Sequence, residues 1–263
     1  MKNNYRILFL DIDGTLVTPD DTIQQSTKSA IRQVQDKGIK VFLATGRPLH
    51  EIREIGKELN IDSYIGYNGA FAIHKEKEIL NEPMDTSTIE HFIDIANQQD
   101  NDLVFYTNGK NVFTSLDKPM VKKFMQKFNL RKNELYTPTN DYNVLGVTLI
   151  DLKDGDIDHY TVNDHMYFSE VNIKGFRNNY DVIRETANKG FAVKAILDNL
   201  SISPEHAIAF GDGMNDKEML RVVGEGFAMG NANPNLFEYA NHTTTAVTES
   251  GIYNGLKSLG LVE

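Results

Sequence analysis

The chain opens on an uninterrupted apolar run, Ile7-Leu8-Phe9-Leu10, that stops at Asp11-Ile12-Asp13-Gly14-Thr15. A run of that length reads as a parallel strand covered on both faces. Thr27, Ala30, Ile31 and Val34 then recur at helical spacing, with Ser26 as N-cap and Gly38 as C-terminal stop. Ile39 to Ala44 predicts a second buried strand, and Thr45-Gly46-Arg47-Pro48 opens another helix with Pro48 in its first turn. A third strand at Tyr64 to Tyr67 leads through Asn68-Gly69-Ala70 to a small hairpin, Ala72 to His74 with Glu78 to Leu80. Strand and helix in alternation predict a parallel sheet with right-handed crossovers.

The rhythm changes at Pro83. From there to Asp181 the pattern gives a helix (Ser87 to Asn97), paired strands (Leu103 to Thr107, Val112 to Ser115), a helix (Lys118 to Phe128) and further strands (Val144 to Ile150, Tyr167 to Val171). Asp151 to Asp164 is acidic and rich in turn residues, so a loop is expected. The α/β rhythm returns with a helix from Lys189 to Asn199, a strand Ala207 to Phe210 entering Gly211-Asp212-Gly213-Met214-Asn215-Asp216, a helix through Val223, and a strand at Gly226 to Met229. A short helix at Asn235 to Ala240 and a terminal one at Gly251 to Leu259 complete it. The expected fold is α/β: a Rossmann-like doubly wound parallel sheet core, 1–82 plus 184–263, with an inserted α+β cap domain, 83–183.

Successive side chains of an extended chain alternate faces at ~3.3 Å per residue, so Asp11 and Asp13 can project together from the strand's carboxyl end. Asp-x-Asp-Gly alone would also fit a strand ending in a turn. Three more polar clusters occupy equivalent places: Thr45-Gly46-Arg47, Lys189-Gly190, and Gly211-Asp212 with Asn215-Asp216. In a doubly wound sheet such ends converge in one crevice. Two acidic clusters, a hydroxyl with free amides and a lysine are what magnesium-assisted phosphoryl transfer requires.

Composition narrows the partners. The formal net charge of −10 opposes nucleic acid and anionic membranes, which select basic surfaces. With no cysteine there is neither a disulfide nor a thiolate zinc site, and the first apolar run is too short for a signal-peptide core or membrane span. A cytoplasmic location is expected. Gly224-x-Gly226-x-x-x-Gly230 misses dinucleotide spacing, and the seven histidines are scattered.

Taken together, D-I-D-G-T-L, A-T-G-R, N-K-G and G-D-G-M-N-D, with N-G-A at 68–70 and A-M-G-N-A at 228–232, resemble the haloacid dehalogenase superfamily of phosphotransferases. Within it they resemble the Cof-type sugar-phosphatase-like group, whose cap lies between the second and third motifs. The resemblance implies a magnesium-dependent phosphatase of small phosphorylated metabolites. Asp11 would be the nucleophile and Asp13 the proton carrier. Asp11, Asp13, Asp212 and Asp216 would form the metal set, and Ile12, Thr45, Gly46, Lys189 and Asn215 would bind phosphate. Lys189 is preferred to Lys174 and Lys194 because its Lys-Gly pair precedes the helix feeding the Asp212 strand, as in the family. Thr45 could also cap the helix opened by Pro48, and Asn215 with Glu218 could form a capping box. Arg47 reads more readily as a salt-bridged or surface residue, and Phe105, Tyr106, Phe124 and Phe128 as core of the inserted segment. A sugar phosphomutase and a phospho-accepting signalling domain are the competing functions; a phosphatase releases inorganic phosphate without a bisphosphate activator.

Overall fold

A computed structural model describes residues 4–138, 142–162, 165–171 and 173–263. In chain order the elements begin β1 (Ile7–Leu10), α1 (Gln25–Asp36), β2 (Lys40–Ala44), α2 (Leu49–Glu58), β3 (Ser63–Gly66), β4 (Phe71–His74) and β5 (Lys77–Asn81). They continue with α3 (Thr86–Gln99), β6 (Asp102–Thr107), β7 (Asn111–Phe113), α4 (Pro119–Lys127), β8 (Asn133–Leu135), β9 (Val144–Ile150), β10 (Met166–Glu170) and β11 (Tyr180–Arg184). Last come α5 (Lys189–Asn199), β12 (Ala207–Gly211), α6 (Lys217–Val222), β13 (Glu225–Ala228), β14 (His242–Thr243) and α7 (Gly251–Ser258).

The first sheet has the order β14-β13-β12-β1-β2-β3-β4-β5, parallel from β14 to β3 and closed by the antiparallel β4–β5 hairpin. The strand order reverses between β1 and β12, the switch point at whose carboxyl end open α/β sheets bind ligands. Alternation divides β1 between the two faces. Leu8 and Leu10 pack with Ala30, Ile31, Ile52 and Leu256 of α1, α2 and α7, while Ile7 and Phe9 pack with Val193, Ile196, Met219 and Leu220 of α5 and α6. The fold is therefore the α/β doubly wound parallel core that the pattern predicts.

After β5 the chain leaves this sheet and builds a second, ordered β10-β11-β9-β6-β7-β8 and antiparallel except where β7 meets β8. Leu103 and Phe105 face α3 and join Ile89, Phe92 and Leu149 in a core; Val104 and Tyr106 face the other way, toward α4. At the two crossings between the sheets, the Arg184 guanidinium donates to the Pro83 carbonyl at 3.0 Å and the Glu82 carbonyl at 2.5 Å.

Several local expectations change. α1 begins at Gln25, so Ser26 lies inside it and bonds Ser250 instead of capping. Pro48 is the residue before α2, outside its first turn. Within 151–162, Asp156–Tyr160 forms a 3-10 turn rather than an open loop: Tyr160 is buried and donates to Asn101, whose amide donates to Asp156. Asp164 lies outside the described residues. Strands β8, β11 and β14 were not expected; each is short and carries no long apolar run.

Glu51 of α2 ties the two sheets together. Its Oε1 accepts from the Arg131 backbone amide at 2.7 Å and the Asn111 side chain at 3.1 Å. Burial would raise this carboxyl, but the nearby His50 ring and the bonds from the Arg131 amide and Asn111 prevail and hold it below its ordinary 4.5. A depressed folded value stabilises fully above the unfolded one and is lost as pH falls through the folded one. Glu51→Gln should therefore lower Tm at pH 7 by about 2–6 °C, for a loss of ~1–2 kcal/mol, with the gap to wild type closing below pH of about 4 in thermal melts.

Candidate active site

The switch point brings the separate clusters together. Asp11 follows β1, Asp212 follows β12, and Lys189 opens α5, whose N-cap Asn188 accepts from the Phe191 amide at 2.9 Å. Lys189 is fully buried, and its Nζ donates to Asp11 Oδ1 and Asp216 Oδ1 at 2.6 Å each. Asp11, Asp212 and Asp216 place ligand atoms within 4.8 Å of one another. The cluster thus concentrates three buried carboxylates around a single ammonium.

The electrostatics follow. Burial and the Asp216 carboxylate push the Asp11 carboxyl up to about 7 despite Lys189. Burial, then Asp11 and Asp216, raise Asp212 well above the usual carboxylate range. Burial disfavours the Lys189 ammonium, but Asp11 and Asp216 outweigh it and hold the amine above the ordinary lysine value. Like charges this close need a cation or a proton between them.

Each carboxylate is held differently. Asp212 Oδ1 accepts from the Thr15 hydroxyl at 3.1 Å. Asp216 Oδ2 accepts the amides of Asp212 and Gly213 at 3.0 Å, so both its oxygens are engaged. Asp13 is gripped by Arg47, whose Nε donates to Oδ2 at 2.7 Å while Nη2 reaches Oδ1. Arg47 is thus ion-paired, and its partner is the second aspartate of the opening motif. Asn231, in the 228–232 string, donates to the Gly14 carbonyl at 2.8 Å.

Thr45 is buried, and its Oγ1 accepts the Arg47 amide at 3.1 Å, which leaves the hydroxyl proton unassigned. It does not cap α2, which begins four residues on at Leu49. Gly46 lines the cavity, and the Ile12 carbonyl accepts the Leu16 and Val17 amides. Asn215 forms no capping box with Glu218; it donates to Asn68 Oδ1 at 2.9 Å, and Glu218 accepts from Tyr167 at 2.9 Å. Lys174 and Lys194 are exposed, away from this cluster's ion pairs.

These groups line a cavity of ≈110 Å³ between the two sheets, bounded by Asp11, Asp13, Thr45, Arg47, Asp212 and Asn215 below. Tyr106, Phe124 and Phe128 form much of the opposite wall, so only Phe105 of the four aromatics is purely core. Strand alternation separates Phe105 from Tyr106. Ser169 and Asp181, which no motif marked, also face the cavity.

Residues 8–256 match the model of the haloacid dehalogenase-like hydrolases. The chain belongs to this family. As a haloacid dehalogenase-like hydrolase it is 31% identical to the putative phosphatase YkrA of Bacillus subtilis strain 168, covering 98% of this chain and 99% of YkrA. It is 29% identical to the HMP-PP phosphatase of Enterobacter sp. strain 638, over 90% and 88% of the two chains. Among solved structures it superimposes on the HAD subclass IIB sugar phosphatase BT4131 with a TM-score of 0.87 at 26% identity, covering 98% and 100%. The hydrolase's structure contains no helix, among the described residues, long and apolar enough to cross a membrane.

Gly14 shows how tightly the cluster is built. Its φ is +87°, and a Cβ there would lie 2.4 Å from Asp212 Oδ2; Gly38 has φ +80° with nothing within 4 Å. Gly38→Ala should cost only backbone strain of about 1 kcal/mol, whereas Gly14→Ala should cost ~2–4 kcal/mol more because it also displaces Asp212. Denaturant unfolding of the pair checks this, and equal losses would contradict it.

Proposed function

We propose that this hydrolase is a magnesium-dependent phosphomonoesterase of small phosphorylated metabolites, sugar phosphates foremost, working through an aspartyl-phosphate. The observation that carries this reading is the Lys189 ammonium bridging Asp11 and Asp216 beneath a cavity that also presents Thr45. The likeness to the subclass IIB sugar phosphatase and to named phosphatases supports it. A single buried ammonium among Asp11, Asp212 and Asp216 leaves excess negative charge, and oxygen-only donors suit Mg²⁺. Asp11, Asp212 and the Asp13 backbone carbonyl would hold the ion; Asp216, with both oxygens engaged, would support the loop and Lys189. The bound ion supplies charge neutralisation for a transferring phosphoryl group.

The residues divide the remaining work. Thr45, Lys189, Asn215 and the amides of Ile12 and Gly46 bind the phosphoryl oxygens. Entry of a phosphate anion competes with Asp13 for Arg47 and frees Asp13 to carry a proton. An Asp11 oxygen bonds phosphorus as the ester P–O bond breaks, and Asp13 gives its proton to the departing oxygen. Water then attacks phosphorus, returns a proton to Asp13, and releases Asp11 and inorganic phosphate. Residues 83–183 act as a cap that closes the cavity and excludes water; β11 carries its last strand to Arg184. The absence of cysteine and the net charge of −10 support a cytoplasmic enzyme with no nucleic-acid or membrane partner.

Asp11→Asn should abolish release of phosphate from p-nitrophenyl phosphate with Mg²⁺ while the circular dichroism spectrum stays native; near-normal turnover would sink the mechanism. Asp13→Asn should slow sugar phosphates, with their poor leaving groups, at least tenfold more than p-nitrophenyl phosphate. Chelation of Mg²⁺ should stop turnover and readdition restore it, without a bisphosphate activator; dependence on such an activator would instead indicate a mutase.

A further inference from the structure

Of the two acidic residues that the second sheet adds to the cavity lining, Glu170 is exposed and Asp181 is hydrogen-bonded across to Asn68 of the first sheet. Asp181 sits on β11 opposite Thr148 of β9 and Ser169 of β10. Thr148 donates to Asp181 Oδ1 at 2.6 Å, and Asn68 of the first sheet donates to Oδ2 at 3.1 Å. Thr148 has one proton, and it is spent on Asp181; Tyr106, 3.0 Å from Thr148 Oγ1, must therefore donate into Thr148. The hydrogen bonds run Tyr106 to Thr148 to Asp181, every one aimed at the carboxylate.

Asp181 also overhangs the phosphate loop. A Cβ on Gly46 would lie 3.0 Å from Asp181 Oδ2. Among the described residues no ion pair reaches it, unlike Asp11, Asp13 and Asp216. Burial raises its carboxyl, against the bonds from Thr148 and Asn68. A carboxylate beside an incoming phosphate is repulsive, and a further hydrogen-bond donor from the substrate would offset that repulsion. A carboxylate offers about four acceptor positions, and the two side-chain donors fill two of them. Asp181 lines the cavity, and its cross-strand neighbour Ser169 lines the same wall.

We propose that Asp181 determines specificity by accepting a hydrogen bond from a hydroxyl of the leaving group, next to the ester oxygen, so that the enzyme selects phosphate esters of small polyhydroxylated carbon chains or rings. The inference rests on the phosphomonoesterase reading. Tyr106, Phe124 and Phe128 give the leaving group's carbon face an apolar wall. Sites that hydrogen-bond a substrate hydroxyl discriminate strongly against analogues lacking it, because their own polar groups are left unpaired.

The test compares kcat/KM of the wild-type chain and Asp181→Asn, with Mg²⁺, on p-nitrophenyl phosphate, a panel of pentose and hexose phosphates, and single-deoxy analogues of the best substrate. The ratio of kcat/KM for that substrate to that for p-nitrophenyl phosphate should fall about 10- to 100-fold in Asp181→Asn. One deoxy analogue should suffer a comparable loss with the wild type and little further loss with the variant. Thr148→Val, which keeps the carboxylate and removes one donor, should lower the same ratio by a smaller factor. Proportional losses on every ester, or a preferred substrate without a hydroxyl, would overturn the inference and leave the phosphatase reading standing. Failure of the wild type to hydrolyse p-nitrophenyl phosphate would overturn both.

Discussion

Lys189 is buried completely, and its ammonium survives there because Asp11 and Asp216 meet it at 2.6 Å. The two carboxylates lie 178 and 27 residues away along the chain. Leaving any one of the three alone in the interior would cost about 3–5 kcal/mol, so β1, the start of α5 and the loop after β12 are obliged to meet. That obligation fixes more than a salt bridge. Asp216 is held by Lys189 on one oxygen and by two backbone amides on the other, which shapes the Gly211–Asp216 turn and aims Asp212 back toward Asp11. Thr15 completes the circuit from the first strand's own loop. The contacts that join these segments and the carboxylate cluster beneath the cavity are one arrangement of charges.

How much of this the sequence discloses depends on the range of the interactions involved. Asp11, Thr45 and Asp212 follow short apolar strands, and strand alternation with sheet topology is enough to bring them to one edge. Lys189 stands apart from Lys174 and Lys194 by the Lys-Gly pair that opens α5, a placement that the family resemblance made meaningful. By contrast, Asp181 sits in Tyr-Asp-Val-Ile-Arg, which has no motif and little periodicity, and its meaning arises from Asn68, 113 residues away across the gap between sheets. No local pattern encodes that approach.

The aromatic residues teach a related lesson. Alternation shows that Phe105 and Tyr106 lie on opposite faces, but not which face is covered by α3 and which meets α4 and the cavity. Asn215 fits the capping signature with Glu218, yet its side chain turns to Asn68 and Glu218 turns to Tyr167. Arg47 is equally undecidable along the chain, because its partner Asp13 reaches it only when the loops after β1 and β2 are neighbours. In each case the deciding contact is tertiary and lies beyond the reach of a local rule.

The Arg184 guanidinium grips the carbonyls of Glu82 and Pro83 where the chain passes from the first sheet to the second and back. Two separate strands of backbone are thereby stapled at the same latitude. Flexible tethers would let the second sheet twist and slide; a stapled pair behaves as a single strap. Any displacement of one sheet against the other would have to carry both passages together or break these bonds. The Asn68–Asp181 and Glu51–Arg131 bonds join the same two sheets at other points, so a displacement of one sheet from the other would have to break them as well.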